Sequence, residues 1–279
     1  MKLIVPVATV VALAAPVAAQ DSSGPAPAIT ISGSATLASD YRFRGVSQTD
    51  KEVAVQGGIT VVHDSGLYAG VWASNLAGWG TFGGANMELD LIGGYRVPLA
   101  GGMLDVGATW YMYPGGADET DFAEPYIKLS GTTGPLTLLA GAAYAPKQQA
   151  LGRWYASGAD AAAGVYTDPG DKEDNLYLWG DAAAGIAGTP LTAKAHLGYS
   201  DGNPGLGPNA TSLAPTGAYF DWSLGLDATW RNLTVGVAYV DTDISGRDAA
   251  YLQPSFSDGQ DGNGAIAGST GLVTVTASF

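Results

Sequence analysis

The amino-acid sequence predicts an all-β chain, a closed antiparallel transmembrane β-barrel of about 12 strands that follows a cleaved N-terminal signal peptide. Three observations carry that prediction. Segments of about ten residues alternate apolar and polar side chains; the connections between them are by turns short and long; and the charged residues within the segments share the face opposite the apolar one. Composition agrees, since the 279 residues include 41 Gly, and only 14% are charged against 46% hydrophobic. A soluble protein carries about 25% charged residues and about half this share of glycine. An ordinary water-facing surface would be poorly supplied here, and helix interiors would suffer at about 1 kcal/mol per glycine relative to Ala. The net charge of -14 repels phosphate backbones, which argues against nucleic acid as a partner.

The elements follow in chain order. Met1-Lys2 gives a positive start, Leu3 to Val17 an apolar stretch, and Val17-Ala18-Ala19 small residues before Gln20. That is the pattern of a secretory signal peptide over residues 1–19, leaving residues 20–279 for the barrel. Pro6, Pro16 and the shortness of the stretch argue against a permanent anchor. With no Cys in the chain, stability in an oxidising compartment cannot come from disulfides.

Alternating segments start near residues 29, 53, 67, 86, 103, 122, 135, 175, 191, 219, 233 and 271. In the clearest, Met87, Leu89, Leu91, Tyr95 and Val97 share one face while Glu88, Asp90 and Arg96 share the other. Tight turns fall at 63–66, 97–102, 131–135, 187–190 and 229–232, with longer polar stretches at 75–85, 114–121, 146–174, 200–217 and 241–270. Short turns on one side and long loops on the other are the asymmetry of a bacterial outer-membrane barrel. A soluble sandwich would carry the same alternation with the apolar face inward. Aromatic placement favours the barrel: Trp110, Tyr144, Tyr199, Phe220 and Tyr239 fall at one set of strand ends, and Tyr95 and Phe279 at the other, as two interfacial belts. Pro125 is expected at the upper rim of its strand, where a missing donor is harmless. The terminal Phe279 resembles the signal by which outer-membrane assembly machinery recognises its clients.

Twelve strands close at a backbone diameter of about 24 Å, and inward side chains would narrow this to roughly 10 Å. Inward Gly58, Gly94, Gly107, Gly198, Gly225 and Gly236 would leave room for a lumen, or serve curvature. The inward carboxylates Glu88, Asp90, Asp105, Glu124, Asp181, Asp221 and Asp227 outnumber Arg96, Lys128 and Lys194, with Arg42 and Arg44 near the mouth. Such a wall suits a water-filled passage with a weak preference for cations, unless the groups pair and satisfy one another. Extending strand 1 in register through Ser39–Asp50 puts Tyr41 and Phe43 outward, in the upper aromatic belt, and Asp40, Arg42 and Arg44 inward. Two arginines there would set up a transverse field or tie the first loop to carboxylates.

Several motifs together point to a family. They are Ser39-Asp40-Tyr41, Phe43-Arg44-Gly45 and Ser47-Gln48; Gln56-Gly57-Gly58; Gly66 to Trp72 with Ser74-Asn75; Glu88-Leu89-Asp90 with Gly94-Tyr95; Tyr111 with Tyr113-Pro114; and Glu124. The sequence resembles the TorF family of proteobacterial porins, of the Gcw-chp type, most densely in its first half. The resemblance implies an outer-membrane porin, surrounded by lipid bilayer and lipopolysaccharide, and it carries over no solute and no functional residue set. Loops 146–174 and 241–270 look individual.

Other chemistry is weakly represented. Of two His, His63 lies in a turn, and His196 faces inward with Ser200 on its strand and Asp221 on the next, too little for a hydrolase triad. Absent Cys and scarce His exclude the usual zinc and iron-sulfur sites. The acidic stretches 168–174 and 258–263 lack EF-hand spacing, Gly205-Leu206-Gly207 lacks the context of a nucleotide fingerprint, and the sequons at Asn209 and Asn232 are read as chance. No enzyme and no cofactor is expected. The expected function is passive passage of ions or small polar solutes, and the alternative is a non-conducting, loop-plugged barrel with a structural or adhesive role.

Overall fold

The computed structural model describes residues 28–77, 84–208, 217–245 and 266–279; the expected signal peptide, residues 1–19, lies outside them. β1 (Ile29–Ala38) is followed by two short strands, β2 (Arg42–Phe43) and β3 (Val46–Ser47). Then come β4 (Ala54–His63), β5 (Leu67–Asn75), β6 (Met87–Leu99), β7 (Gly102–Met112), β8 (Phe122–Thr133) and β9 (Leu136–Gln148). The rest are β10 (Glu173–Gly185), β11 (Leu191–Asp201), β12 (Ala218–Trp230), β13 (Leu233–Thr242) and β14 (Thr270–Ser278). All except β2 and β3 form one closed antiparallel barrel of 12 strands. β14 returns to β1, from Ser34↔Ser278 to Ala38↔Thr274. Phe279 extends that seam, exchanging two backbone hydrogen bonds of 2.9 Å with Gly33. Its ring lies where a Cβ on Gly33 would stand.

The alternation predicts the faces correctly because side chains along a strand point to opposite sides. Val55, Ile59, Leu91, Val106, Leu138, Val237 and their like are exposed on the outer wall, which is the surface of a transmembrane barrel. Trp110, Tyr144, Phe220 and Tyr239 are exposed toward one rim, with Tyr199 against Phe220, and Tyr95 and Phe279 toward the other. Trp230 joins the second group.

At one end the connections are two to five residues long, at 64–66, 100–101, 134–135, 186–190 and 231–232. Two are tighter than the sequence suggests: β6 continues to Leu99 and β8 to Thr133, with Gly101 at φ 81 and Gly134 at φ 57 closing the loops. The long connections gather at the other end, where the charged Lys147, Glu173, Asp174, Asp201 and Asp241 extend the strands beyond the apolar belt. Within the connection from β9 to β10 a short helix, α1 (Gly158–Ala163), starts at Ser157, which accepts a hydrogen bond from the Asp160 amide. Pro125 pairs with Ala108 of β7, while pairing with β9 begins only at Tyr126, so it occupies the splayed rim. There the Gln148 side chain serves Ala123 instead, accepting from its amide at 2.7 Å and donating to its carbonyl at 2.9 Å.

Candidate functional site: the barrel interior

The first long connection, 39–53, does not continue strand 1. It turns into the barrel as a hairpin, with Arg42 opposite Ser47 and Phe43 opposite Val46. Arg44 and Gly45, at φ 49 and 79, form its two-residue loop. That geometry requires positive φ at both positions, which is costly for Arg and free for Gly. Tyr41 and Phe43 are therefore not in the outer aromatic belt: Tyr41 is buried against Trp72 at 5.3 Å, and Phe43 meets Tyr111 edge-on at 5.9 Å. An alternating stretch reads as strand whichever way the backbone turns, and the Arg-Gly loop turned it inward.

Asp40 organises the hairpin. Its carboxylate accepts from Arg42 Nε at 2.6 Å, Ser47 Oγ at 2.6 Å and Thr49 Oγ1 at 2.9 Å. Arg42 also donates to the carbonyl of Ile266 at 2.8 Å. Arg44 is the latch to the wall: it donates to Glu124 Oε1 of β8 and Asn175 Oδ1 of β10, both at 2.5 Å, and lies over the Tyr177 ring at 4.2 Å. Its side chain is only 3% exposed, so the arginine ties the loop to a carboxylate rather than facing an open field. Burial opposes its charge, but Glu124 and Tyr111 outweigh burial and push the Arg44 pKa up. Tyr41 donates to Glu88 Oε1 at 2.9 Å, and burial together with the Glu88 charge raises its pKa, so it stays a donor.

Deeper in the barrel the inward charges pair along the wall. Asp105 lies 3.6 Å from Arg96 and 3.5 Å from Lys128, and Asp227 lies 2.7 Å from Lys194. His196 bridges Asp181 through Nδ1 at 2.7 Å and Asp221 through Nε2 at 3.0 Å, with the Tyr177 hydroxyl 2.9 Å away. Ser200 instead accepts from Asn175 Nδ2 at 3.3 Å, so no Ser–His pair forms. Glu88 and Asp90 are the in-wall carboxylates without such a cation, among the described residues. The acidic stretch 258–263 and the sequon at Asn209 lie outside the described residues.

Four of the six inward glycines, Gly58, Gly94, Gly107 and Gly198, do not hold the lumen open. Tyr68 pairs with Gly94, Gly94 with Gly107, and Gly107 with Tyr126 across four strands. The two tyrosine hydroxyls meet over the two glycines, where Cβ atoms would stand, and Tyr68 donates to Asp105 at 2.6 Å. Trp179 covers Gly141, Trp72 lies against Gly58, and the Tyr177 hydroxyl lies against Gly198. Glycine thus admits a neighbour's ring against the backbone. These inward aromatics were not expected, because ring-over-glycine pairs are set by cross-strand register, which one strand's sequence does not show. The seated hairpin narrows the expected 10 Å bore, and beside it lies a cavity of about 210 Å³. Its lining includes Arg42, Arg44, Tyr177, Asp181, Lys194 and His196.

This architecture is a closed transmembrane barrel with a polar, partly filled interior. The profile of a bacterial protein family of unknown function, Gcw_chp, matches residues 22–279. The chain belongs to that family. No curated protein sequence matches it. Among solved structures, it is similar to the outer membrane channel DcaP of Acinetobacter baumannii, at 9% identity over 90% of this chain and 97% of that one, with a TM-score of 0.42. It is also similar to an outer membrane channel from Pseudomonas putida F1, at 8% identity over 93% and 98% of the chains, TM-score 0.42. A third similarity is to the outer membrane protein opdK of Pseudomonas aeruginosa, at 13% identity over 92% and 67%, TM-score 0.39.

Proposed function

We propose that the chain is an outer-membrane channel giving passive passage to ions or small polar solutes, of the TorF porin type, narrowed by its first connection. The observation that carries this reading is the division of a closed wall into an apolar exterior and a charged, hydrogen-bonded interior that retains a cavity of about 210 Å³. In this reading residues 1–19 export the chain, the short turns face the periplasm, and lipid and lipopolysaccharide surround the belt. Phe279 presents the carboxyl end to the assembly machinery. The residues proposed to line the passage are the inward charges of the wall together with Arg42, Arg44 and His196. A weak cation preference rests on the excess of inward carboxylates over the basic side chains of the wall, Arg96, Lys128 and Lys194.

A second reading, a non-conducting barrel, is favoured by the hairpin's bonds to β8 and β10. Conductance in planar bilayers and swelling of solute-loaded liposomes separate the two, using wild type and a variant whose residues 41–49 are replaced by a Gly-Ser linker. Wild-type passage supports the channel. Passage by the variant alone makes the hairpin a closed door, and passage by neither, with normal heat-modifiable migration, overturns the channel reading. Reversal potentials under a salt gradient test selectivity, and anion preference would sink the cationic one.

A further inference from the structure

Glu88 and Asp90 occupy successive inward positions of β6 and are 2% and 6% exposed. Register sets Asp90 between Trp72 of β5 and Tyr111 of β7. Glu88 receives the Tyr41 hydroxyl from the hairpin. Asp90 Oδ1 is buried with no hydrogen-bond partner, the single such side-chain atom among the described residues. Arg44, on the hairpin, is spent on Glu124. Two buried carboxylates with no cation beside them cannot both stay ionised unless something neutralises them, because desolvation of each is severe.

We propose that Glu88 and Asp90 hold one hard divalent cation, Ca²⁺ or Mg²⁺, between the wall and the seated hairpin. A charge of two matches two carboxylates, and such ions choose carboxylate oxygen. Asp90 Oδ1 supplies free lone pairs, and Glu88 carries a second oxygen beside the one that accepts from Tyr41. Tyr41, Trp72 and Tyr111 wall the place off from bulk water, which strengthens the attraction. No third His, Cys, Asp or Glu joins them in a metal-holding group among the described residues. The remaining ligands are then hydroxyl or water oxygens, and the affinity falls in the weak range of roughly 10⁻⁴–10⁻³ M. Because Tyr41 belongs to the hairpin, the bound ion also fastens the hairpin to β6. The inference goes beyond the channel reading and does not depend on it, since a barrel that conducts nothing would carry the same site.

The test uses the full chain in detergent, stripped with EDTA and titrated with CaCl₂ by calorimetry, while the midpoint of heat-modifiable unfolding is followed. The expected result is one ion per barrel and a rising midpoint, with Mg²⁺ competing and K⁺ at equal ionic strength without effect. Glu88→Gln and Asp90→Asn each weaken binding on the order of tenfold or more, and each raises the midpoint in EDTA because an uncompensated charge is gone. Asp258→Asn with Asp261→Asn, in the long acidic connection, leaves the response unchanged. The wild-type comparison needs no variant to fold: a midpoint that follows pH but not Ca²⁺ means that protons neutralise the pair, and the proposal fails. A Ca²⁺ response that survives both amide variants places the ion elsewhere and overturns it equally.

Discussion

The two halves of the barrel interior obey the same strand alternation and end in opposite states. Toward the long connections, the Arg44–Glu124 pair is 3% and 4% exposed and rings fill the space around it. Toward the short turns, the Lys194–Asp227 pair is 33% and 20% exposed, and Arg96 and Lys128 are 20% and 24% exposed around a more buried Asp105. The wall does not make this difference. One segment, 39–53, folded back from the rim, turns a solvated lining into a protein core, and identical charge chemistry acquires a different energetic meaning.

Arg44→Ala attacks that difference most directly. It leaves Glu124 buried without its cation and removes the anchor to Asn175, a loss of about 3–5 kcal/mol for breaking a buried pair. The expected outcome is a hairpin that leaves the lumen while the barrel stays closed. Limited proteolysis should then cut within 39–53, with heat-modifiable migration retained. Glu124→Gln added to Arg44→Ala should recover part of the loss, since the stranded charge goes with it. If Arg44→Ala is as protease-resistant as wild type, the hairpin is held by packing alone and the contrast between the halves is not electrostatic.

The second test concerns the wall shared by both halves. Gly107→Ala places a methyl against the Gly93 carbonyl and the Tyr126 hydroxyl, whereas Gly185→Ala, at the short-turn end of β10, meets nothing within 4 Å. Overpacking at Gly107 should cost about 1–3 kcal/mol, and Gly185→Ala should stay within about 0.5 kcal/mol, both read from the unfolding midpoint in detergent. Tyr126→Phe added to Gly107→Ala should relieve part of the penalty. Equal effects at the two glycines would mean that the ring-over-glycine row is incidental.

The uneven legibility of these features follows from the range of the interactions. Strand faces, turn positions, the two aromatic groups and the rim position of Pro125 depend on neighbours in sequence and on the period of two, so they are readable along one segment. The Tyr68–Gly94–Gly107–Tyr126 row depends on register across four strands and is invisible from any one of them. The hairpin was missed because Tyr41-Arg42-Phe43-Arg44 alternates like a strand. The one signal against that reading was Arg44-Gly45 as a two-residue loop, and Arg is an unusual occupant of the first position, where Asn or Asp is the common choice. Glu88 and Asp90 were legible as inward acids. Their lack of a cation was not, because partners come from strands and loops distant in sequence.

The smallest effect is expected where water already reaches the pair. Lys194→Ala removes the partner of Asp227, but both groups are partly solvated, so the stability change should be at most about 1 kcal/mol. Asp227 then adds a negative charge to the solvated lining. If this half forms part of a conducting path, reversal potentials under a salt gradient should move toward cations while the unfolding midpoint barely changes. High salt should erase the shift, because exposed charges are screened beyond about 10 Å at 0.1 M. A midpoint drop as large as that of Arg44→Ala would show that the short-turn half is as desolvated as the other, and the contrast between them would collapse.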